Sequence, residues 1–338
     1  MKNGIIKLES HIVCAATVVG GKEYEGPLGG FFHMHDPTDA FGQDTWEKAE
    51  SEMQRRALAL ALNKSGLRAE ELGAIFAGDL LNQCVGSAYG LLEYDVPYFG
   101  LYGACSTSAE SLMLAAMMTS GGFANVAAAV TSSHNCSAER QFRTPTEYGG
   151  QRTPTAQWTV TGAAAFLVGR QGRVKIKEAM AGLAVDSGIS DASNMGAAMA
   201  PAVISTLKRY FDESGRQPED FDMILTGDLG EEGSGILRDL LRAEGVDISS
   251  VHEDCGLMIY DREAQDVHSG GSGCGCAATV LGAYILPKLV SGELSRVLFV
   301  ATGAMMSPAS LQQGLSIPGI AHLLHLEAAD KEEKSRWL

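Results

Sequence analysis

Cys105 sits at the joint between two kinds of segment in LYGACSTSAESLMLAAMMTSGG, residues 101–122. Residues 97–102 read as a short buried strand, and the Ala-, Leu-, Met- and Ser-rich run from 105 to 120 reads as a helix stopped by Gly121 and Gly122. Cys105 is thereby placed near a helix N-terminus, where unpaired N–H groups and the macrodipole favour a thiolate. Two chemistries stay open. Cys105 is a nucleophile with the Ala104 and Cys105 N–H groups serving an oxyanion hole, or it is a small apolar residue filling a tight joint.

Other polar residues fall at strand ends. Asp79 and Asp228 each follow an apolar run and a glycine, in AIFAGDLLNQ and MILTGDLGEE. Either carboxylate could line a pocket or cap the following helix; capping is the expectation for Asp228 and pocket lining for Asp79. Ser132, Ser133 and His134 close another strand, where α/β sheets hold their pockets, although a capped turn would look the same. Cys274 and Cys276 form the one close cysteine pair, and they lack a second pair at ligand spacing, so no zinc site is expected.

The elements that must position these groups alternate along the chain. Strands are expected at 12–19, 74–77, 97–102, 126–132, 163–168, 174–184, 222–226, 297–302 and 320–326. Helices are expected at 46–65, 80–92, 105–120, 200–214, 235–243 and 277–290. Such alternation predicts an α/β chain with mostly buried strands. Two stretches, 20–45 and 133–161, read as long loops, and long loops on a compact scaffold tend to carry function.

The chain has 338 residues, 45% hydrophobic and 20% charged, with a formal charge of −15. That balance opposes non-specific binding to nucleic acid or to an anionic bilayer. Seven scattered cysteines suit free thiols in a reducing compartment. The N-terminus reads as a first strand in preference to a signal peptide, and no run approaches the ~20 apolar residues that span a bilayer.

The two halves echo each other. GACSTSAESLMLAAMMTSGGFANVAAAVTSS aligns with CGCAATVLGAYILPKLVSGELSRVLFVATGA, so that Cys105 faces Cys276 and the Gly-Asp-Leu blocks correspond. We therefore expect a duplicated α/β unit with pseudo-two-fold symmetry, halves 1–170 and 171–338.

Gly103-Ala104-Cys105-Ser106, opening an Ala-rich helix in the first half of a duplicated chain, resembles the thiolase superfamily, and within it the β-ketoacyl-acyl-carrier-protein synthase III branch. The resemblance implies a layered αβαβα fold and an acylated Cys105 assisted by a His and an Asn from the second half. Both partners are missing: Gly227-Asp228-Leu229-Gly230 stands where the His motif belongs, and Gly270-Gly271-Ser272-Gly273-Cys274 where the Asn motif belongs. A glycine can neither deprotonate a thiol nor donate a side-chain hydrogen bond to a thioester. His268 is the nearest substitute base. Longer blocks, among them KEYEGPLGGFF, TSSHNCSAERQFRTPTEYGGQRTPTAQWTVTGAA and GGSGCGCAATV, resemble the stage V sporulation protein AD family of spore-forming bacteria.

That second resemblance implies a non-catalytic protein that binds dipicolinic acid, which enters the developing spore and leaves on germination. It implies a place on the cytoplasmic face of the forespore inner membrane beside other stage V A channel proteins, a homodimer paired through the strand after the nucleophile helix, and no cofactor except Ca²⁺ as a companion of dipicolinate. Dipicolinate is a flat dianion and requires positive charge or oriented N–H donors. The candidate ligand residues are Asp79, Cys105, Ser106, Ser132, Ser133, His134, Arg140, Arg143 and Arg152, with Phe142, Tyr148 and Trp158 interleaved. The plainer role for the arginines is pairing with carboxylates such as Glu139 and Glu147. The rival is an acyltransferase using Cys105 with His268 as base.

Overall fold

The computed structural model describes residues 4–142 and 152–329. In the first half the strands are β1 (Ile6–Gly20), β2 (Met34–Asp36), β3 (Leu72–Gly78), β4 (Tyr98–Gly100), β5 (Val126–Ser133), β6 (Trp158–Thr159) and β7 (Gly162–Gly169). The second half supplies β8 (Val174–Met180), β9 (Met223–Thr226), β10 (His252–Asp254), β11 (Gly271–Ser272), β12 (Arg296–Ala304) and β13 (Gly319–Ala328). The main sheet runs β10-β9-β12-β13-β8-β1-β7-β5-β3-β4, with β2 added beside β1. This order is a palindrome about the antiparallel β1–β8 pair. From either edge two parallel pairings precede the antiparallel ones. The duplicated α/β arrangement is thus present in the pairing itself.

Period-2 alternation sorts the side chains into layers. Ala127 and Ala129 of β5, and Val297, Phe299 and Ala301 of β12, face one inner core. That core also holds helix Thr107–Ser120 and helix Cys274–Ser291. Ala128 and Val130 face outward onto helix Trp46–Ser65, whereas Leu298 and Val300 face helices Met195–Ser214 and Gly230–Ala243. The result is five layers, αβαβα. Helix Cys274–Ser291 alone among the described residues is long and apolar enough to cross a membrane, with mean hydropathy 1.4, but 72% of it is buried in the inner layer. Its apolarity is that of a helix covered on all sides.

Some expectations are corrected. The helix expected over 80–92 is broken into Asn82–Cys84, Val85–Gly90 and Leu92–Tyr94, with Gln83 and Cys84 at positive φ. The turn follows from Asp79, whose carboxylate takes the N–H groups of both Leu81 and Ser87. Helix Met195–Ser214 begins before 200 because Asn194 caps it through Ala197 N–H at 3.2 Å, so Pro201 lies inside it and not at its start. The loop 133–161 contains helix Asn135–Phe142 and β6. β1 begins at Ile6, six residues earlier than expected.

Candidate functional site

The chain enters the Cys105 region from β4 through a self-capped turn. Gly103 O accepts the Ser106 N–H (3.1 Å) and hydroxyl (2.6 Å), while Thr107 Oγ1 accepts from Gly103 N (3.0 Å) and donates to Ala104 O (2.7 Å). Ala104 carries a φ of +51°, a left-handed conformation that costs an L-residue energy and that this bonding holds in place. Gly303 of β12 approaches so closely that a Cβ there would lie 2.5 Å from Gly103 O. The nucleophile turn is therefore clamped by the opposite half.

Asp228 completes the contact across the halves. It is fully buried just beyond β9, beside Cys105, and its carboxylate accepts from Gly273 N (2.8 Å) and Thr302 Oγ1 (2.5 Å). Gly273 adopts φ +107°, and a Cβ on it would stand 2.5 Å from Ser133 Oγ, so this position must be glycine for the N–H to reach Asp228. Burial and then the Asp228 carboxylate push the Cys105 thiol well above its ordinary value. The sequence-based expectation of a favoured thiolate is corrected: desolvation and a carboxylate outweigh the helix end. Capping by Asp228 is corrected too. Asp254 holds the start of helix Gly230–Ala243, through Leu229 N (2.9 Å) and Gly230 N (3.1 Å).

A second polar network lies behind Cys105. Asp79 accepts from Leu81 N (2.8 Å), Ser87 N (2.7 Å) and Ser87 Oγ (2.6 Å). Gln54 Nε2 bridges Ser87 and Ser132, and Glu50 accepts from Ser132 Oγ and Ser137 Oγ, both at 2.8 Å. Burial and the neighbouring Asp79 push Glu50 up to about 8, and burial raises Asp79 as well. Ser132 O accepts the Cys274 thiol at 2.9 Å, and Ser133 Oγ donates to Val160 O and accepts from Gly275 N. Cys105, Cys274, Leu80 and Ala138 form one apolar cluster with Phe142 packed on it. Helix Asn135–Phe142 thus packs over Cys105 and Cys274 through Ala138 and Phe142.

The remaining candidates are spread out. His134 is buried beside Trp46; its Nδ1 accepts from Cys136 N, so Nε2 carries the proton and donates to Asp39 O at 2.9 Å. Burial lowers its pKa. Arg140 is exposed and paired with Glu47. Arg143 lies outside the described residues. Arg152 stacks over Trp158 at 4.4 Å and donates to Asp266 O at 2.6 Å. Lys22 Nζ lies over the same ring at 4.4 Å. His268 is not brought to Cys105: its ring nitrogens are engaged by Thr153 O (2.7 Å) and Asp266 Oδ1 (3.1 Å).

Sequence reasoning missed the role of Glu50 and Gln54. The signal was there: both fall on the same helical stripe as Met53, Ala57 and Ala61, a buried face on which a polar residue needs a partner.

The layered, duplicated fold with a cysteine at the first inner-helix turn defines a thiolase-like chain. Among solved structures it is similar to a variant of OleA from Xanthomonas campestris (TM-score 0.58, 13% identity, 96% of this chain and 99% of that one). It is also similar to 3-oxoacyl-[acyl-carrier-protein] synthase III of Aquifex aeolicus VF5 (TM-score 0.57, 13% identity, 94% and 99%). Residues 2–327 match the sequence model of the family Stage V sporulation protein AD, and the chain is 45% identical over 316 residues to Stage V sporulation protein AD of Bacillus subtilis strain 168, covering 93% of each. The chain belongs to the stage V sporulation protein AD family.

Proposed function

We propose that this sporulation protein is a non-catalytic binding protein for dipicolinic acid, with the ligand held at the Cys105 end of the inner helices. The observation that carries the reading is the Cys105–Asp228 contact. A condensing enzyme ionises its thiol; here burial and the neighbouring Asp228 carboxylate push the Cys105 thiol well above its ordinary value.

The positive charge comes from the rim. Trp158 in β6 pairs with Gly271 of β11, and two residues beyond it Gly273 donates to Asp228. Lys22 and Arg152 over Trp158 thus present two cations and an aromatic face beside the route to Asp228. Among the described residues no group of three His, Cys, Asp or Glu side chains is arranged to hold a metal, so a Ca²⁺ arriving with dipicolinate would draw its ligands mainly from dipicolinate.

In this reading the protein serves dipicolinate uptake and release at the cytoplasmic face of the spore inner membrane, docked on other stage V A proteins. It works as a homodimer. β5 has no edge to offer, being flanked by β3 and β7. One of the sheet's two edges is β4, where Tyr98 and Phe99 are exposed, and an aromatic-rich edge strand suits a second copy. Calorimetric titration with dipicolinate tests the ligand; no heat from the wild type would refute it.

A further inference from the structure

A groove of about 510 Å³ opens at the far end of the inner helix that starts beside Cys105. Cys274 begins helix Cys274–Ser291, and the groove is lined by its other half, from Gly282 to Ser291, roughly 12–25 Å along the axis at 1.5 Å per residue. Apolar atoms of Val13, Leu286 and Pro287 make its walls, and Lys64, His33 and Arg173 line it too. Among the described residues no acidic side chain lines it. In a chain of charge −15, three nitrogenous side chains converging without a carboxylate form an exception to the surface as a whole.

The hydrogen bonding is incomplete in a directed way. Thr17 N donates to His33 Nδ1 at 3.2 Å, which places the imidazole hydrogen on Nε2. That Nε2–H faces Lys64 Nζ, itself a donor, which also reaches Ala15 O at 2.9 Å. Two donors therefore point at each other. Burial and then Lys64 pull His33 down to about 4, and burial and then Arg173 lower Lys64, as crowding of like charge requires. The backbone departs from regularity on both sides: β1 carries a bulge between Ile12 and Cys14, and the helix makes a π-turn over Leu281–Ile285. Such departures recur next to binding sites because they re-aim side chains.

We propose that this groove is a second ligand site, taking a small organic dianion whose carboxylates lie against Lys64, Arg173 and His33 Nε2–H and whose apolar body lies on Val13 and Leu286. A carboxylate there adds an acceptor for His33 Nε2–H and a counter-charge for Lys64 and Arg173. The site is separate from the Cys105 chamber and does not rest on dipicolinate binding there.

The test is calorimetry of the full chain with isophthalate, a flat dicarboxylate without a ring nitrogen. Lys64→Gln and Arg173→Gln are each expected to weaken binding at least tenfold, while Arg68→Gln, on the surface beyond helix Trp46–Ser65, leaves it unchanged. No isophthalate binding by the wild type, or binding indifferent to both groove variants, would overturn the site. Binding of inorganic phosphate with the same variant dependence, but none of isophthalate, would overturn the organic-dianion assignment.

Discussion

The Asp228 carboxylate raises the pKa of the Cys105 thiol across 123 residues of chain and between the two halves of the fold. Gly273 N–H and Thr302 Oγ1 fix that carboxylate from two further sides. The nucleophile position of a thiolase-like chain thereby lies against a buried, hydrogen-bonded carboxylate.

Removing the charge should wake the thiol. Asp228→Asn takes away the second-largest cause of the raised Cys105 pKa and leaves burial. Iodoacetamide labelling at pH 8, followed site by site by mass spectrometry, should show Cys105 reacting faster in the variant than in the wild type. Labelling no faster than in the wild type would mean that Asp228 does not control the thiol.

Asp79 should matter for stability more than its place beside the chamber suggests. Asp79→Ala leaves the Leu81 and Ser87 N–H groups buried without an acceptor, at a cost of about 3 kcal/mol. Asp79→Asn keeps one acceptor oxygen and should lose less than half as much. Urea denaturation reads both; a cost below about 1 kcal/mol for the alanine variant would show that the turn at 79–87 stands without it.

The pH dependence of stability should carry the mark of Glu23. This side chain is fully buried, takes hydrogen bonds from Tyr260 and Thr161 N, and has no partner on Oε2 among the described residues. Burial raises it from 4.5 to about 7. A carboxyl raised in the folded state binds its proton more tightly than in the unfolded chain. Its contribution is therefore full below about pH 4.5 and is lost as pH rises through about 7, by up to about 3 kcal/mol. Glu23→Gln has no proton to lose, so its urea midpoint should gain on the wild type between pH 5 and pH 8. A constant difference across that range would contradict the assignment.

Much of the fold was legible because its signals are local and periodic. Helix Trp46–Ser65 occupies the residues expected of it, and the repeat of strand, cysteine, helix and Ser-Gly foretold the palindromic sheet. The site was legible only as far as Cys105. Asp228 reads from its neighbours as a helix cap, and nothing local says that Asp254 does that work instead. His268 lies close along the chain to the missing Asn motif, yet at positive φ it turns to Thr153 and Asp266. The arginines of 133–161 read as one cationic group, but Arg140 and Arg152 pair with Glu47 and Asp266, which come from separate segments.

Self-association through β4 gives a further check. Phe99 is 47% exposed on the edge strand and stacks on Phe76 at 4.9 Å. Light scattering coupled to size exclusion should report a dimer for the wild type and a monomer for Phe99→Glu, with unchanged far-UV circular dichroism. A monomeric wild type at micromolar concentration would refute the pairing.

The central claim is dipicolinate binding at the Cys105 end without chemistry, and calorimetric titration of the full chain with dipicolinate tests it most directly. The predicted result is saturable binding by the wild type, weakened at least tenfold by Cys105→Ala and by Arg152→Ala, nearly unchanged by Arg140→Ala, and with the Cys105-dependent site retained in Lys64→Gln. An absence of heat in the wild type, or affinity untouched by Cys105→Ala, would contradict it.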